Sequence, residues 1–375
     1  GKFTDEHSEE LKRGISIRLG YADMHIRKCP KCDEPLCYST FPKCFHCSTE
    51  TAHQRTVSFI DCPGHETLMA TVLTGASLMD GAILVIAANE PCPQPQTAEH
   101  LEVMNIGGIK NIVIVQNKID IVTEEEALKN YTAIKAFVKG SVAENAPIIP
   151  VSAQHRANIE ALISAIEKFI PTPEKDTKKN PLLYVARSFD VNKPGTSIPK
   201  LGGGVIGGSL VEGTLKVGET VEIVPGIKIG DKYKPITTKI VSIMKGGVAL
   251  DTGTPGGLLA IGTELDPAIA KSDNLIGNIA GIPGKLPPVR NTLSLETKML
   301  ERKIVDNMPE RIVEKNALLM NVGTARTVGV CTKVGKTHEF VLKLPVAAAK
   351  GDKVALSMQV GGRWRLIGYG IVADK

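Results

Sequence analysis

Three short apolar segments, each followed by polar residues, decide the fold class of this chain. They read VSFIDCPGH at 57–65, AILVIAA at 82–88 and IVIVQNKID at 112–120. Helical patterns separate them, and strands that alternate with helices are typical of a parallel sheet with its chemistry at the carboxyl ends of the strands. The sequence therefore predicts an α/β domain whose polar loops gather at one edge of a parallel-rich sheet.

Composition sets limits on the rest of the chain. Its 375 residues suggest two or three domains, and apolar residues at 42% are enough for real cores. A net charge of +5 permits an RNA partner without requiring one, whereas only 4% aromatic residues disfavour an extensive base-stacking surface. The longest apolar run, at 82–88, is too short to span a bilayer, and residues 1–13 are too polar for a signal peptide. We expect a cytoplasmic protein that has no membrane partner.

The periodicity of the chain changes near residue 175. Helices are predicted at 66–74, 96–106, 124–139 and 158–169, and a segment with three prolines at 170–181 reads as a linker. Short alternating runs follow, with hairpin turns predicted at 213–219 and at Pro225-Gly226. The predicted division is a nucleotide-binding domain at 1–175 with a cysteine insert at 29–47, a β-barrel at 182–285 and a second β-barrel at 286–375.

The segment Asp61-Cys62-Pro63-Gly64 lies where a strand gives way to a loop. A carboxylate there can hold Mg²⁺ through water, and a glycine lets backbone N–H groups approach a γ-phosphate closely. His65 follows at a position from which a side chain can orient an attacking water. An ordinary strand-ending turn also favours Asp, Pro and Gly, so this segment alone does not decide the function.

The segment Asn117-Lys118-Ile119-Asp120 ends the third apolar run. A carboxylate at Asp120 can accept hydrogen bonds from N1–H and the 2-amino group of guanine, and adenine offers neither donor. Asn117 can brace neighbouring loops, and the stem of Lys118 can cover base and sugar. A third loop, Ser152-Ala153-Gln154, ends the next strand and can close over the base. The alternative is an ordinary polar loop, but three such loops in this order favour a nucleotide site.

Four cysteines form two Cys-x-x-Cys pairs, Cys29 with Cys32 and Cys44 with Cys47. This spacing sets four thiolates within tetrahedral reach of one ion and predicts a closed structural Zn²⁺ site. Cys37 and His46 lie in the same insert as spare candidates. We expect the insert to loop out between two strands, so that the rest of the domain tolerates loss of the metal.

Several strings together resemble the gamma subunits of archaeal and eukaryotic translation initiation factor 2, and the similarity covers nearly the whole chain. The cysteine insert and the absence of long insertions are more similar to archaeal members. Besides that insert, the strings that carry the resemblance are HSEELKRGISI (7–17), GASLMDGA (75–82), AANEPCPQPQT (87–97), RSFDVNKPG (187–195) and RWRLIGYG (363–370).

This resemblance implies a GTPase domain followed by two β-barrels and a role as a GTP-dependent carrier of initiator methionyl-tRNA to the small ribosomal subunit. The family works as a heterotrimer with alpha and beta subunits, and hydrolysis of GTP to GDP triggers release. By position, Ser16 would ligate Mg²⁺, with Asp61 acting through water, and His65 would position the attacking water. Asn117, Lys118 and Asp120 would form the guanine loop, with Ser152, Ala153 and Gln154 beside it.

No Gly-x-x-x-x-Gly-Lys-Ser/Thr string occurs in the printed chain; Gly335-Lys336-Thr337 has its partner Gly329 one residue too far away. In a GTPase-type sheet the first strand lies between the strand ending at Asp61 and the one ending near Ala88. We therefore expect an upstream segment of about 20–40 residues that carries this motif. We also expect a gap between these two strands, or another segment filling it.

Two other functions fit parts of the sequence. One is an elongation-factor-like carrier of other aminoacyl-tRNAs, against which the cysteine insert and the string at 89–97 argue. The other is a non-enzymatic zinc-containing scaffold with a degenerate nucleotide site. The missing phosphate loop favours the scaffold, and the intact Asn-Lys-x-Asp motif argues against it.

Overall fold

The computed structural model describes residues 20–62, 79–193, 195–197, 201–300 and 309–374. The chain divides into two compact units, with the boundary between Pro173 and Glu174. The first unit contains one antiparallel sheet, one parallel sheet and the cysteine insert, and the second contains all the later strands.

The first sheet of the first unit is antiparallel and frames the cysteine insert. Its strands are β1 (Gly20–Lys28), β2 (Tyr38–Ser39) and β3 (Ala52–Asp61), in the order β2-β1-β3. The long β1–β3 ladder runs from the pair Gly20 and Asp61 to the pair Lys28 and Ala52. The insert therefore lies at the end of this ladder that is remote from Asp61.

The second sheet is parallel, as the alternation of strands and helices predicts. Its order is β4-β5-β6, with strands β4 (Ala82–Ala87), β5 (Ile112–Asn117) and β6 (Ile148–Pro150). Three helices connect or follow them: α1 (Pro95–Gly107), α2 (Glu124–Val138) and α3 (Ile159–Phe169). Each confirms a predicted helix to within one residue at either end, and the helix predicted at 66–74 lies outside the described residues.

Local chemistry explains where two of these helices begin and end. Helix α2 starts with a capping box, in which the Thr123 hydroxyl accepts from the Glu126 N–H and the Glu126 carboxylate accepts from the Thr123 N–H. Helix α1 has proline in its first turn and ends at Gly108, which adopts the left-handed conformation that suits glycine. These signals are readable in the sequence, which is why the helix bounds were predictable.

Strands β3 and β4 belong to different sheets, and no ladder joins them in the described parts of the chain. The expectation of a gap between these strands, or of another segment filling it, stays a prediction.

The second unit begins with a closed barrel of six strands in the order β10-β15-β7-β8-β14-β11, closed by pairing of β10 with β11. β12 extends the sheet beside β11, and β9 pairs with β13. A short helix, α4 (Pro267–Ala270), and a 3₁₀ turn (Lys271–Asp273) precede the last strand. The strands are β7 (Leu182–Phe189), β8 (Val205–Glu212), β9 (Leu215–Lys216), β10 (Thr220–Ile229), β11 (Lys232–Lys245), β12 (Val248–Leu250), β13 (Thr252–Gly253), β14 (Leu259–Thr263) and β15 (Ile279–Gly281).

The hairpin turn predicted at Pro225-Gly226 is wrong. Both residues lie inside β10, at an irregularity in its pairing with β11, and the actual turn is Gly230-Asp231. Gly226 has a φ of +88°, and a Cβ there would collide with the backbone of Lys234. Proline and glycine thus mark a strand irregularity here. The local sequence alone does not distinguish such an irregularity from a hairpin turn.

A second closed barrel completes the chain in the order β16-β19-β18-β17-β20-β21. Its interior is packed with apolar side chains such as Leu295, Met320 and Phe340, each fully buried. The two barrels and the α/β unit confirm the predicted fold class. The strands are β16 (Val289–Met299), β17 (Ala317–Val322), β18 (Ala325–Lys333), β19 (His338–Ala347), β20 (Lys353–Val360) and β21 (Arg363–Ala373).

Across the described ranges, no helix is both long and apolar enough to cross a membrane.

Candidate functional site

The carboxyl ends of β4, β5 and β6 form one edge of the parallel sheet. In register, Ala87 lies beside Asn117, and Gln116 lies beside Pro150. The polar loops that follow these strands therefore emerge side by side, at the position where open α/β sheets bind ligands. The sequence-predicted residues 117–120 and 152–154 belong to two of these loops.

Asn117 connects the two loops directly. Its side-chain oxygen accepts a hydrogen bond from the backbone N–H of Ala153 at 3.1 Å. A backbone bond from the Ile119 N–H to the Val151 carbonyl, 3.3 Å long, lies next to it. The loop after β5 is therefore fixed to the loop after β6 by one side-chain and one backbone contact.

Lys118 turns the chain out of β5. Its φ is +65°, a left-handed conformation that few residues other than glycine adopt, and a 3₁₀ turn (Ile119–Ile121) follows at once. Its half-exposed ammonium group lies 3.9 Å from a carboxylate oxygen of Glu90 in the loop after β4. This left-handed residue thus brings the loop after β5 close to the loop after β4, and such backbone conformations are common at functional sites.

Asp120 presents its carboxylate from this 3₁₀ turn. A hydrogen bond from the Ser152 hydroxyl lowers the pKa of Asp120, with smaller contributions from its own backbone N–H and from nearby His155. His155 Nε2 lies 3.6 Å from Asp120 Oδ2, and the histidine ring is largely exposed. The lowered pKa keeps Asp120 ionised, so that it offers only acceptors to a ligand.

Two buried polar residues support this edge and were not identified from the sequence. Gln116, 3% exposed, donates to the Asn130 side chain at 3.0 Å and to the Ala127 carbonyl at 2.8 Å. Asn130, on α2, donates in turn to the Glu90 carbonyl at 3.1 Å. Two features of the sequence could have identified them. One is a glutamine at the end of an apolar strand, and the other is an asparagine on the buried face of a helix.

Of the remaining predicted nucleotide residues, the structure describes only Asp61 and Gln154. Asp61 ends β3, opposite Gly20 in the antiparallel sheet. Gln154 follows Ala153 and is exposed. Ser16, Gly64 and His65 lie outside the described residues.

The four predicted cysteines come together in the insert. Their sulfurs all lie within 4.8 Å of one another. Three of the separations are 3.4 Å for Cys29 and Cys47, 3.5 Å for Cys32 and Cys47, and 3.7 Å for Cys32 and Cys44. A tetrahedral ZnS₄ centre with bonds of about 2.3 Å has sulfurs about 3.8 Å apart, so this donor set fits Zn²⁺.

Local hydrogen bonds help to ionise one of these thiols. Thr49, through its hydroxyl and its backbone N–H, lowers the pKa of Cys47 to about 6. Cys32 donates toward the Cys47 sulfur, and this bond raises the pKa of Cys32. Because a metal binds thiolates, Cys47 is already suited as a ligand near neutral pH. The spare candidate Cys37 is buried and is not part of the four-sulfur group.

The insert lies between β1 and β3 as expected, but it is also packed against the rest of the domain. Cys29, Cys37 and Cys44 belong to one buried cluster with Ile163 and Ile166 of α3. Burial of apolar side chains stabilises the folded state by roughly 25 cal/mol per Å² of buried surface. Because the insert and α3 share this buried cluster, unfolding of the insert also destabilises the domain. Spacing between cysteines gave no information about this packing.

Comparison with known proteins gives consistent results along the chain. Residues 1–172 match the family described as elongation factor Tu GTP binding domain, and residues 291–372 match initiation factor eIF2 gamma, C terminal. Translation initiation factor 2 subunit gamma of Methanococcus maripaludis is 58% identical over 99% of this chain and 93% of its own length. The Pyrococcus horikoshii protein of the same name is 57% identical over 100% of this chain and 92% of its own length.

The chain belongs to the translation initiation factor 2 gamma-subunit family. It is therefore a translational GTPase, with GTP and GDP as its nucleotides, and the two relatives described above are archaeal. The resemblance seen in the sequence is confirmed, and the non-enzymatic scaffold interpretation is wrong.

Solved structures agree on the fold. The bacterial selenocysteine-specific elongation factor EF-Sec is 26% identical, with a TM-score of 0.73 over 98% of this chain and 53% of that one. Elongation factor SelB from Methanococcus maripaludis, solved with the GTP analogue GppNHp, is 19% identical. Its TM-score is 0.72 over 98% of this chain and 75% of that one. These identities are far below those of the initiation factors, which argues against the elongation-factor alternative.

Proposed function

We propose that this gamma-subunit homologue carries initiator methionyl-tRNA in its GTP-bound form and delivers it to the small ribosomal subunit. GTP hydrolysis then triggers release. The observation that carries this proposal is the 58% identity to an initiation factor 2 gamma subunit over 99% of the chain. A match that spans the α/β unit and both barrels supports a common function for the whole molecule.

The proposed guanine site uses the loops at the β5 and β6 ends. Asp120 accepts from the N1–H and 2-amino groups of guanine, and Asn117 holds the loops together through Ala153 at 3.1 Å. The stem of Lys118 covers the base, while Ser152, Ala153 and Gln154 close the other side. The hydrogen bond from Ser152 to Asp120 supports this arrangement, because it keeps the carboxylate ionised and oriented.

The proposed catalytic groups rest on the resemblance. Ser16 would hold Mg²⁺ directly and Asp61 would hold it through water, while Gly64 would approach the γ-phosphate and His65 would orient the attacking water. Asp61 lies at the end of β3, a position that suits this role. The Mg²⁺ supplies charge stabilisation to the phosphates when it is bound.

The proposed domain division is a GTP-binding domain at 1–175 with its zinc insert at 29–47, a middle barrel at 182–285 and a final barrel at 286–375. Alpha and beta subunits complete a heterotrimer, the alpha subunit docking on the middle barrel and the beta subunit on the GTP-binding domain. A translation factor of this kind works in the cytoplasm.

Filter binding with the complete gene product tests the carrier function. The protein is mixed with initiator methionyl-tRNA, the same tRNA without methionine, or elongator methionyl-tRNA, each in GTP and in GDP. Tight binding confined to initiator methionyl-tRNA with GTP supports the proposal. Equal affinity for elongator methionyl-tRNA would instead favour a general aminoacyl-tRNA carrier.

A further inference from the structure

His155 lies against the carboxylate that is proposed to accept hydrogen bonds from guanine. Its Nε2 atom lies 3.6 Å from Asp120 Oδ2, and 67% of the histidine side chain is exposed. The hydroxyl of Ser152 donates a hydrogen bond to the same carboxylate. Two polar side chains of the loop after β6 therefore lie beside Asp120, which belongs to the 3₁₀ turn after β5.

Guanine needs both oxygens of this carboxylate. Its N1–H and 2-amino groups are two parallel donors, and a carboxylate can accept such a pair with one bond to each oxygen. Because His155 lies next to Oδ2, its ring must move away from that oxygen when guanine binds to Asp120. The ring is largely exposed, so this movement disrupts little packing.

The energy of this movement depends on the charge of the ring. Histidine is the side chain whose charge ordinarily changes between pH 5 and 8. At 3.6 Å a neutral ring makes no good hydrogen bond to Asp120, whereas a cationic ring attracts the carboxylate through its charge. Protonation of His155 therefore opposes guanine binding, and deprotonation removes the opposition as pH rises.

The other charged groups around the loops after β4, β5 and β6 do not change over this pH range. They are Glu90, Lys118, Arg156 and the glutamates in the first turns of α2 and α3. Carboxylates, lysines and arginines ordinarily titrate outside pH 5–8. Burial raises the pKa of Cys92, in the loop after β4, to about 11, so this thiol stays neutral. Within these three loops, all of which the structure describes, His155 is the group whose charge changes.

We propose that His155 is a pH-sensitive competitor of guanine for Asp120. Its cationic ring pairs with the carboxylate and lowers the affinity for guanine nucleotides at mildly acidic pH. The proposal rests on the proposed guanine site and adds to it a residue that lies outside the Asn-Lys-x-Asp motif. Because the ring is exposed, the ion pair is weak, and its effect on affinity is about 1.5- to fivefold.

Equilibrium binding of a fluorescent GDP analogue to the complete gene product, at pH 5.5 and at pH 7.5, tests this proposal. Variants are compared at the same pH, which cancels protonation of the nucleotide phosphates. His155→Gln should bind about 1.5- to fivefold more tightly than wild type at pH 5.5 and equally at pH 7.5. His155→Arg is cationic at both pH values, so it should bind more weakly than His155→Gln at both.

His25→Gln is the matched control for loss of one exposed histidine. His25 belongs to the antiparallel sheet and lies beside Thr56, with 2.8 Å between His25 Nδ1 and Thr56 Oγ1. This variant should keep the pH profile of the wild type. Melting temperatures establish that all three variants are folded.

Two results would overturn the proposal. One is an identical pH profile in wild type and His155→Gln. The other is weaker binding by His155→Gln at pH 7.5, because the ring would then support the bound base. Failure of the guanine site itself is detected separately, since Asp120→Asn would then keep its preference for GTP whatever His155 does.

Discussion

The side-chain oxygen of Asn117 accepts a hydrogen bond from the backbone N–H of Ala153 at 3.1 Å, joining the loops that follow β5 and β6. Replacing Asn117 by Ala removes this connection while β5 itself remains paired. Because one hydrogen bond is worth about 0.5–1.5 kcal/mol, we expect GTP and GDP affinity to fall about two- to twelvefold from this loss alone. Equilibrium binding of a fluorescent GDP analogue measures the change.

Asn111→Ala is a matched control for that substitution. Asn111 precedes the other end of the same strand and donates to the Asp80 carbonyl at 3.3 Å. It is remote from the loops, so nucleotide affinity should stay at the wild-type value. Equal losses in both variants would mean that Asn117 acts only through the stability of the strand.

The buried bond between Gln116 and Asn130 should matter for stability as well as for binding. Asn130→Ala leaves the Glu90 carbonyl without its side-chain donor and weakens the support of Gln116. We expect the free energy of unfolding of the GTP-binding domain to fall by about 1–3 kcal/mol, measured by urea denaturation. The exposed neighbour Lys129→Ala should change it by less than about 0.5 kcal/mol.

The Ser152 hydroxyl is the main cause of the lowered pKa of Asp120. Such a carboxylate stabilises the folded state above its unfolded pKa, and the contribution is lost as pH falls through the lower folded pKa. Ser152→Ala should therefore raise the pKa of Asp120 toward its ordinary value, which an NMR titration of the carboxyl carbon measures. Glu126, whose pKa is lowered by Thr123 instead, is the internal control and should not move.

Zinc should be present at one ion per chain, bound by Cys29, Cys32, Cys44 and Cys47. Structural zinc sites bind their metal with about 10–16 kcal/mol, and this cluster packs on Ile163 and Ile166. We therefore expect Cys44→Ser to lose the metal and to lower the melting temperature of the GTP-binding domain. Elemental analysis and calorimetry measure both effects. Cys37→Ala is the matched control and should keep its zinc, since Cys37 lies outside the four-sulfur group.

Much of the fold was predictable because its signals are local. The proline and glycine that bound α1 and the capping box of α2 are readable residue by residue, and the apolar run of β5 is buried as its composition predicts. Pro225-Gly226 was misread because an irregular strand pair uses the same residues as a turn. Only the partner strand, with Lys234 opposite Ile227, distinguishes the two.

For the candidate site, the motif residues 117–120 and 152–153 were identifiable, whereas their supports were not. Glu90, Asn130 and His155 reach the site from separate segments, so no spacing in the sequence connects them to Asp120. The contact of the cysteine insert with α3 was missed for the same reason, because more than a hundred residues separate Cys44 from Ile163. Tertiary packing, rather than local preference, places these groups.

The most direct test of the account is the nucleotide preference of the complete gene product with and without Asp120→Asn. Wild-type protein should bind GTP far more tightly than ATP or xanthosine triphosphate, because the ionised carboxylate accepts from guanine N1–H and the 2-amino group. In Asp120→Asn, the amide donates to the C2 oxygen of xanthine, so the ratio of affinities should shift toward xanthosine triphosphate by about ten- to a hundredfold. A variant that still prefers GTP by the original margin would contradict the assignment of this loop as the guanine site.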